Sequence, residues 1–173
     1  HIDFLTPARI QKKKIILRKI DFHSFIQNLL GRVSMLSYFH CGTKLELDFK
    51  GMLERAQTVK VENDQLSWNS WTRYSSRQKR YMKWDGVVGG LDFVGQLNEF
   101  LPYILLGEYI HIGKGTAFGL GHIAVQKNSR WFTDHVDFDN LKIIDKDKVI
   151  AMKDVYKTKT VDRRIDRLLR LLW

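Results

Sequence analysis

Apolar residues recur at three- and four-residue spacing from Phe22 to Leu36: Phe22, Phe25, Ile26, Leu29, Leu30, Val33 and Leu36. That spacing predicts an amphipathic helix running to about His40, with Asp21 as its N-cap and Gly31 as a mild weak point. Ahead of it, Ile2 to Thr6 and Ile15 to Ile20 read as extended, with Pro7 and the Lys12–Lys14 run in a loop between them. A shorter helix is expected over Phe49 to Val59. Strand-like sequence follows over Leu66 to Tyr74, Tyr81 to Val88 and Leu91 to Leu97. The Gly89-Gly90 pair predicts a hairpin turn between the last two. Asn98 is placed to cap a helix reaching about Leu106, and a glycine-rich stretch leads to a final strand around Phe118 to Gln126.

Strand, helix, strand pair, helix, strand is the ferredoxin-like β-α-β-β-α-β order, which predicts an α+β domain with an antiparallel sheet over residues 1–126. Residues 127–173 read as a C-terminal extension of mixed character. In it Thr160 caps a helix with Val161, Ile165, Leu168, Leu169 and Leu172 on one face and Arg163, Arg164, Arg167 and Arg170 elsewhere around it. Packing on a domain is the plain expectation for such a helix; a membrane surface is the alternative.

Charge sharpens the picture. The chain has 173 residues, with 29 Lys and Arg against 19 Asp and Glu, a net charge of +10. An excess of this size favours a polyanionic partner, because basic side chains near phosphates release condensed counterions. The single cysteine, Cys41, excludes an internal disulfide, and no Cys/His cluster has zinc spacing, so neither metal nor cofactor is expected. A reducing, intracellular setting such as a cytoplasm fits. The longest apolar run, Phe100 to Ile112, is broken by Pro102, Gly107 and Glu108 and is too short to span a bilayer. The chain opens in strand-like sequence without a methionine and reads as a piece of a longer polypeptide.

The most informative segment is His111-Ile-Gly-Lys-Gly-Thr-Ala-Phe-Gly-Leu-Gly-His122. Its glycines let backbone amides approach a phosphate, Lys114 adds a point charge and Thr116 a hydroxyl. Three known nucleotide loops fail against it. Lys114 lies between glycines rather than after the last, as a Walker A loop needs. Phe118 occupies the third glycine position of a dinucleotide turn. The partner motifs of a protein kinase are missing. A glycine-rich turn that only lets a helix and strand pack closely is the competing explanation.

The run Gly107-Glu-Tyr-Ile-His-Ile-Gly-Lys-Gly-Thr-Ala-Phe-Gly-Leu-Gly121 resembles the glycine-rich signature of the CRISPR repeat-RNA processing endoribonucleases of the RAMP superfamily. The resemblance extends through Phe4-Leu-Thr-Pro7, Phe39-His40, Leu47-Asp-Phe49, Tyr74-Ser-Ser-Arg-Gln78, Gly89-Gly90 and Phe100-Leu-Pro102, and so covers about residues 4–126. It implies the C-terminal of two tandem ferredoxin-like domains, with the loop gripping CRISPR repeat RNA. It implies metal-independent cleavage, in which the RNA's own 2′-hydroxyl attacks the adjacent phosphate and a histidine serves as acid/base. The family's catalytic histidine commonly sits in the first domain, so this piece is expected to bind RNA whether or not it cuts. Some members are fused to a reverse transcriptase and an integrase, candidate neighbours of such a piece. A non-catalytic RNA-binding subunit of a CRISPR effector complex is the alternative. An interaction module without nucleic-acid function is the third.

Trp71 to Trp84 interleaves Arg73, Arg77, Lys79, Arg80 and Lys83 with Trp71, Tyr74, Tyr81 and Trp84. Arginines bind phosphate bidentately and aromatic rings stack on unpaired bases. The expected RNA contacts are Arg73, Arg77, Lys79 and Arg80 from this segment, with Gly113, Lys114, Gly115, Thr116, Gly119 and Gly121 from the loop. Most of the tryptophans are expected in the core. The candidate acid/base residues are His111 and His122, which flank the loop, and His40. His40 continues the apolar stripe of the first helix, so a core role competes with catalysis there.

Overall fold

A computed structural model of the chain describes residues 1–42 and 44–126. The expected C-terminal helix lies outside the described residues. Strand β1 (Ile2–Ala8) leads into a tight ribbon of β2 (Gln11–Lys12) and β3 (Ile15–Ile16). Helix α1 (Phe22–Cys41) follows, then α2 (Phe49–Ala56) and the edge strands β4 (Lys60–Asp64) and β5 (Ser67–Asn69). A hairpin of β6 (Thr72–Ser75) and β7 (Arg80–Lys83) comes next, then the long strand β8 (Gly86–Val94), α3 (Leu101–Ile110) and β9 (Ile123–Val125).

The main sheet runs β4-β8-β1-β9, with β5 also on β8, and every pairing is antiparallel. Taken as second, third, first and fourth framework strands, this is the ferredoxin-like arrangement, with α2 added. Ile2 and Phe4 of β1 and Leu91 and Phe93 of β8 turn to one face, as the two-residue period of a strand requires. That face is covered by α1, whose Phe22, Phe25, Ile26 and Leu29 are almost fully buried. Phe22 sits edge-on against Phe93 and Phe100, at 4.9 and 5.1 Å between ring centroids.

Asp21 caps α1 as expected: its carboxylate accepts from the Ser24 amide at 2.6 Å and the Ser24 hydroxyl at 3.0 Å. Burial alone would raise the Asp21 pKa, but these hydrogen bonds, aided by Lys12 and His23, hold it below its ordinary value. A depressed carboxylate pKa stabilises the fold above the unfolded pKa, and this contribution is lost as pH falls through the folded one. Asp21→Ala should therefore cost about 1 kcal/mol at neutral pH. In urea titrations the gap between variant and wild type should narrow at acidic pH; a gap independent of pH would refute the assignment.

Four expectations need correction. Gly89-Gly90 is not a hairpin turn, because β8 runs unbroken from Gly86 to Val94. The pair instead marks where the neighbouring edge changes from β5 to β4: a Cβ on Gly89 would collide with the Gln65 carbonyl, and Gly90 accepts from the Gln65 amide at 3.0 Å. The two long strands predicted over 66–88 are each broken near Ser70 and near Trp84. Their middle portions form the separate β6-β7 ribbon, most of whose residues are exposed. The α3 helix starts after Phe100 with no side-chain cap and continues four residues beyond Leu106. Thr116–Phe118 is a 3₁₀ turn, so the last strand shrinks to Ile123–Val125. The edge strand β4 went unpredicted; all five of its residues are exposed and its sequence carries no apolar alternation.

Candidate RNA-binding and catalytic site

Helix α3 stops because His111 leaves helical space, at φ 61 and ψ 171, while its amide still bonds the Gly107 carbonyl at 2.9 Å. Arg32 of α1 donates from Nε to the Ile110 carbonyl at 2.6 Å. A cation at a helix C-terminus offsets the negative end of the helix dipole and satisfies one orphan carbonyl.

Beyond His111 the chain must reverse and return along β1. Gly113, Gly115, Gly119 and Gly121 all adopt left-handed backbone, with φ between 70 and 83. The Lys114 amide bonds the Arg9 carbonyl and the Gly121 amide bonds the Pro7 carbonyl, each at 3.1 Å. Ile112 donates to the Gly121 carbonyl at 2.8 Å and closes the neck of the loop. The Thr6 hydroxyl pins it from the other side, donating to the Gly119 carbonyl at 2.8 Å and accepting from the His122 amide at 2.9 Å. A Cβ on Gly113 would lie 2.6 Å from the Arg9 carbonyl oxygen, and one on Gly121 would overlap the Ile112 carbonyl. Close packing therefore accounts for those two glycines, against Arg9 just past β1 for Gly113 and against Ile112 at the neck of the loop for Gly121. The loop leaves Lys114, Ala117 and Phe118 facing solvent and Thr116 half-buried.

The two histidines flanking the loop meet. Their rings stack at 4.8 Å between centroids, only 11° from parallel. His111 Nδ1 lies 3.1 Å from the Leu120 carbonyl oxygen, which only accepts. Nδ1 therefore carries the proton, and in the neutral ring Nε2 keeps the free lone pair. Burial lowers the His111 pKa; the Leu120 hydrogen bond works against this, and the charges of His122 and Arg32 add to it. The neutral form of His111 is thus favoured, with the His122 ring stacked against it. His40 is elsewhere: it lies exposed in the last turn of α1, so the core role weighed for it does not apply. Eight residues of helix, about 12 Å, separate it from Arg32.

The β6-β7 hairpin presents the basic segment. Residues 71–84 hold five cations and no carboxylate. The strands pair Arg73 with Met82 and Tyr74 with Tyr81. Alternation along the pleat puts Trp71, Arg73, Met82 and Trp84 on one face and Tyr74 and Tyr81 on the other. The Arg73 guanidinium lies over the rings of Phe118 and Trp84, 5.3 and 5.8 Å from their centroids, and so joins the hairpin to the glycine loop. Arg77, Lys79 and Arg80 stand at the far end of the hairpin, exposed, with no hydrogen bond or ring contact to the loop.

The core expectation for the tryptophans holds for Trp84, which is 4% exposed, but not for Trp71, at 44%. Trp84 packs against Gly115 and edge-on to Phe118, 4.6 Å between ring centroids. Its Nε1 and the Nε of Arg9 are buried donors without an acceptor among the described residues. Each such orphan costs about 1–3 kcal/mol. Arg9, Arg32 and Phe118 were not singled out from sequence. The Phe4-Leu-Thr-Pro7 run was the available signal for the strand end on which the loop docks.

Among the described residues no group of His, Cys, Asp or Glu side chains could hold a metal ion, and no helix is long and apolar enough to cross a membrane. The fold is thus a ferredoxin-like α+β domain with a glycine-rich loop folded onto the end of its first strand. Residues 2–123 match the family model described as CRISPR-associated endoribonuclease Cas6, and the chain belongs to that family. The family's activity is endonucleolytic processing of CRISPR repeat RNA. No curated protein matches the chain.

Proposed function

We propose that this chain grips CRISPR repeat RNA between the glycine-rich loop and the β6-β7 hairpin, and that the stacked pair His111 and His122 performs general acid-base cleavage there. The observation that carries this reading is the pair itself: two stacked imidazoles, one with Nδ1 bonded to a carbonyl and its Nε2 lone pair free, flanking a loop that Arg73 joins to a hairpin whose charges are all cationic. Lys114 and Thr116 contact the RNA backbone from the loop, whose shape Gly113, Gly115, Gly119 and Gly121 maintain. Arg73, Arg77, Lys79 and Arg80 neutralise phosphates along the hairpin.

The chemistry balances without a cofactor. His111 Nε2 takes the proton of a 2′-hydroxyl as that oxygen attacks the neighbouring phosphorus. The bond from phosphorus to the 5′-oxygen breaks, and the leaving oxygen takes a proton from the His122 imidazolium. A 2′,3′-cyclic phosphate and a 5′-hydroxyl result.

The test is cleavage and binding of repeat RNA in EDTA, with a 2′-hydroxyl or 2′-deoxy at each candidate position. The expected result is a cyclic-phosphate product that disappears with the 2′-deoxy substrate. Tight binding with intact RNA would favour a non-catalytic RNA-binding subunit. Salt-insensitive, negligible binding would reject an RNA role altogether.

A further inference from the structure

We propose that Phe118, Trp71 and Arg73, seated over the buried Trp84, form a stacking platform for an unpaired nucleotide of the bound RNA. The proposal rests on the RNA-binding reading above and adds which part of the RNA this site takes.

Phe118 is 62% exposed at the tip of the glycine-rich loop, and Trp71 is 44% exposed at the base of the hairpin. Large rings facing water are costly to solubility and call for explanation when they cluster. These two converge on one ring, Trp84, from two different elements: Trp71 at 5.9 Å and Phe118 at 4.6 Å between centroids. Arg73 lies over Trp84 and Phe118 and forms no ion pair with a described carboxylate. Tyr74 and Tyr81 belong to the opposite face of the ribbon and are not part of the platform.

Charge decides the class of occupant. Arg73 is the cation over the rings, residues 71–84 hold no acidic residue, and Asp85 just beyond them accepts from the Ser70 hydroxyl. A protein partner would have to bring both acids and apolar groups, whereas a nucleotide carries the phosphate and the flat base in one unit. A paired helix hides its base faces in the stack, so only an unpaired segment can use exposed rings.

The experiment uses the 173-residue chain and a repeat-derived oligonucleotide carrying 2-aminopurine at an unpaired position, alongside the same sequence fully duplexed. Binding should quench the 2-aminopurine. Phe118→Leu, which keeps the bulk and removes the π face at an exposed site, should abolish the quenching. It should also weaken single-strand binding roughly tenfold, leaving duplex binding and the salt slope unchanged. Trp71→Leu should act in the same direction. Arg77→Ala should instead flatten the salt slope. Wild-type affinity and quenching in Phe118→Leu, with Arg77→Ala still flattened, would overturn the platform and spare the RNA-binding reading. An equal loss on duplex and single strand would overturn it too. Absence of RNA binding by the wild-type chain would overturn both readings.

Discussion

His111→Ala should slow cleavage of repeat RNA by about 10²- to 10⁴-fold while leaving RNA affinity within a few-fold of wild type, since the general base acts on a proton and not on the grip. Its side chain is half-buried, but its one hydrogen bond is to the Leu120 carbonyl, so His111→Gln tests the same role with a polar group kept in place. His122→Ala should give a loss of the same order. The double variant should lose little beyond either single one, as groups acting as a unit are non-additive. The pH profile carries the sign. Burial, with His122 and Arg32 nearby, holds the His111 pKa below its ordinary value, and the Leu120 bond only partly opposes this. As base, His111 must be unprotonated, so activity should rise with pH along a limb set below the ordinary histidine range. A cleavage rate unaffected by either substitution would remove the pair from the mechanism.

Gly121→Ala should be the most damaging single substitution in the loop. The position has φ 70, and an added Cβ would overlap the Ile112 carbonyl. Two backbone bonds hold the residue there, from Gly121 to Pro7 and from Ile112 to Gly121. Left-handed backbone with a side chain costs about 1–2 kcal/mol, and losing these bonds about 0.5–1.5 kcal/mol each. A loss of about 3 kcal/mol or more is expected, lowering Tm by about 10 °C. RNA binding should fall with it, because the loop that carries Lys114 loses its anchor on β1. Gly119 is the control: it has φ 83, but an added Cβ would meet no atom within 4 Å, so Gly119→Ala should cost only the backbone strain. Equal losses at both positions in thermal and chemical denaturation would contradict the packing account.

Some of this was readable from the chain alone. The apolar spacing of Phe22, Phe25, Ile26, Leu29 and Val33 defined α1, because a helix buries whatever recurs at its own period. Asp21 marked its start through a bond made three residues away. The ferredoxin-like class was legible too, although the strand pair that suggested it is the single strand β8 and its actual neighbour β4 carried no apolar signal; the glycine signature pointed to the endoribonuclease family. The basic character of residues 71–84 was equally visible.

Other features depended on contacts that sequence distance conceals. Gly89-Gly90 has the composition of a turn, yet it serves a straight strand crowded by Gln65 from the neighbouring edge. The 71–84 segment has strand composition, but only the sheet decides that its middle leaves β8 to become a separate ribbon. His111 and His122 are eleven residues apart, and nothing in their spacing announces a stack at 4.8 Å. That contact exists because the loop folds onto Thr6, Pro7 and Arg9, more than a hundred residues earlier in the chain. The same docking joins Phe118 to Arg73 and Trp84. Local periodicity is written in neighbouring residues and fixes the first helix and its cap. The site is made by long-range closure, in which backbone bonds and close packing between distant segments select one arrangement of side chains, and only the tertiary structure decides it.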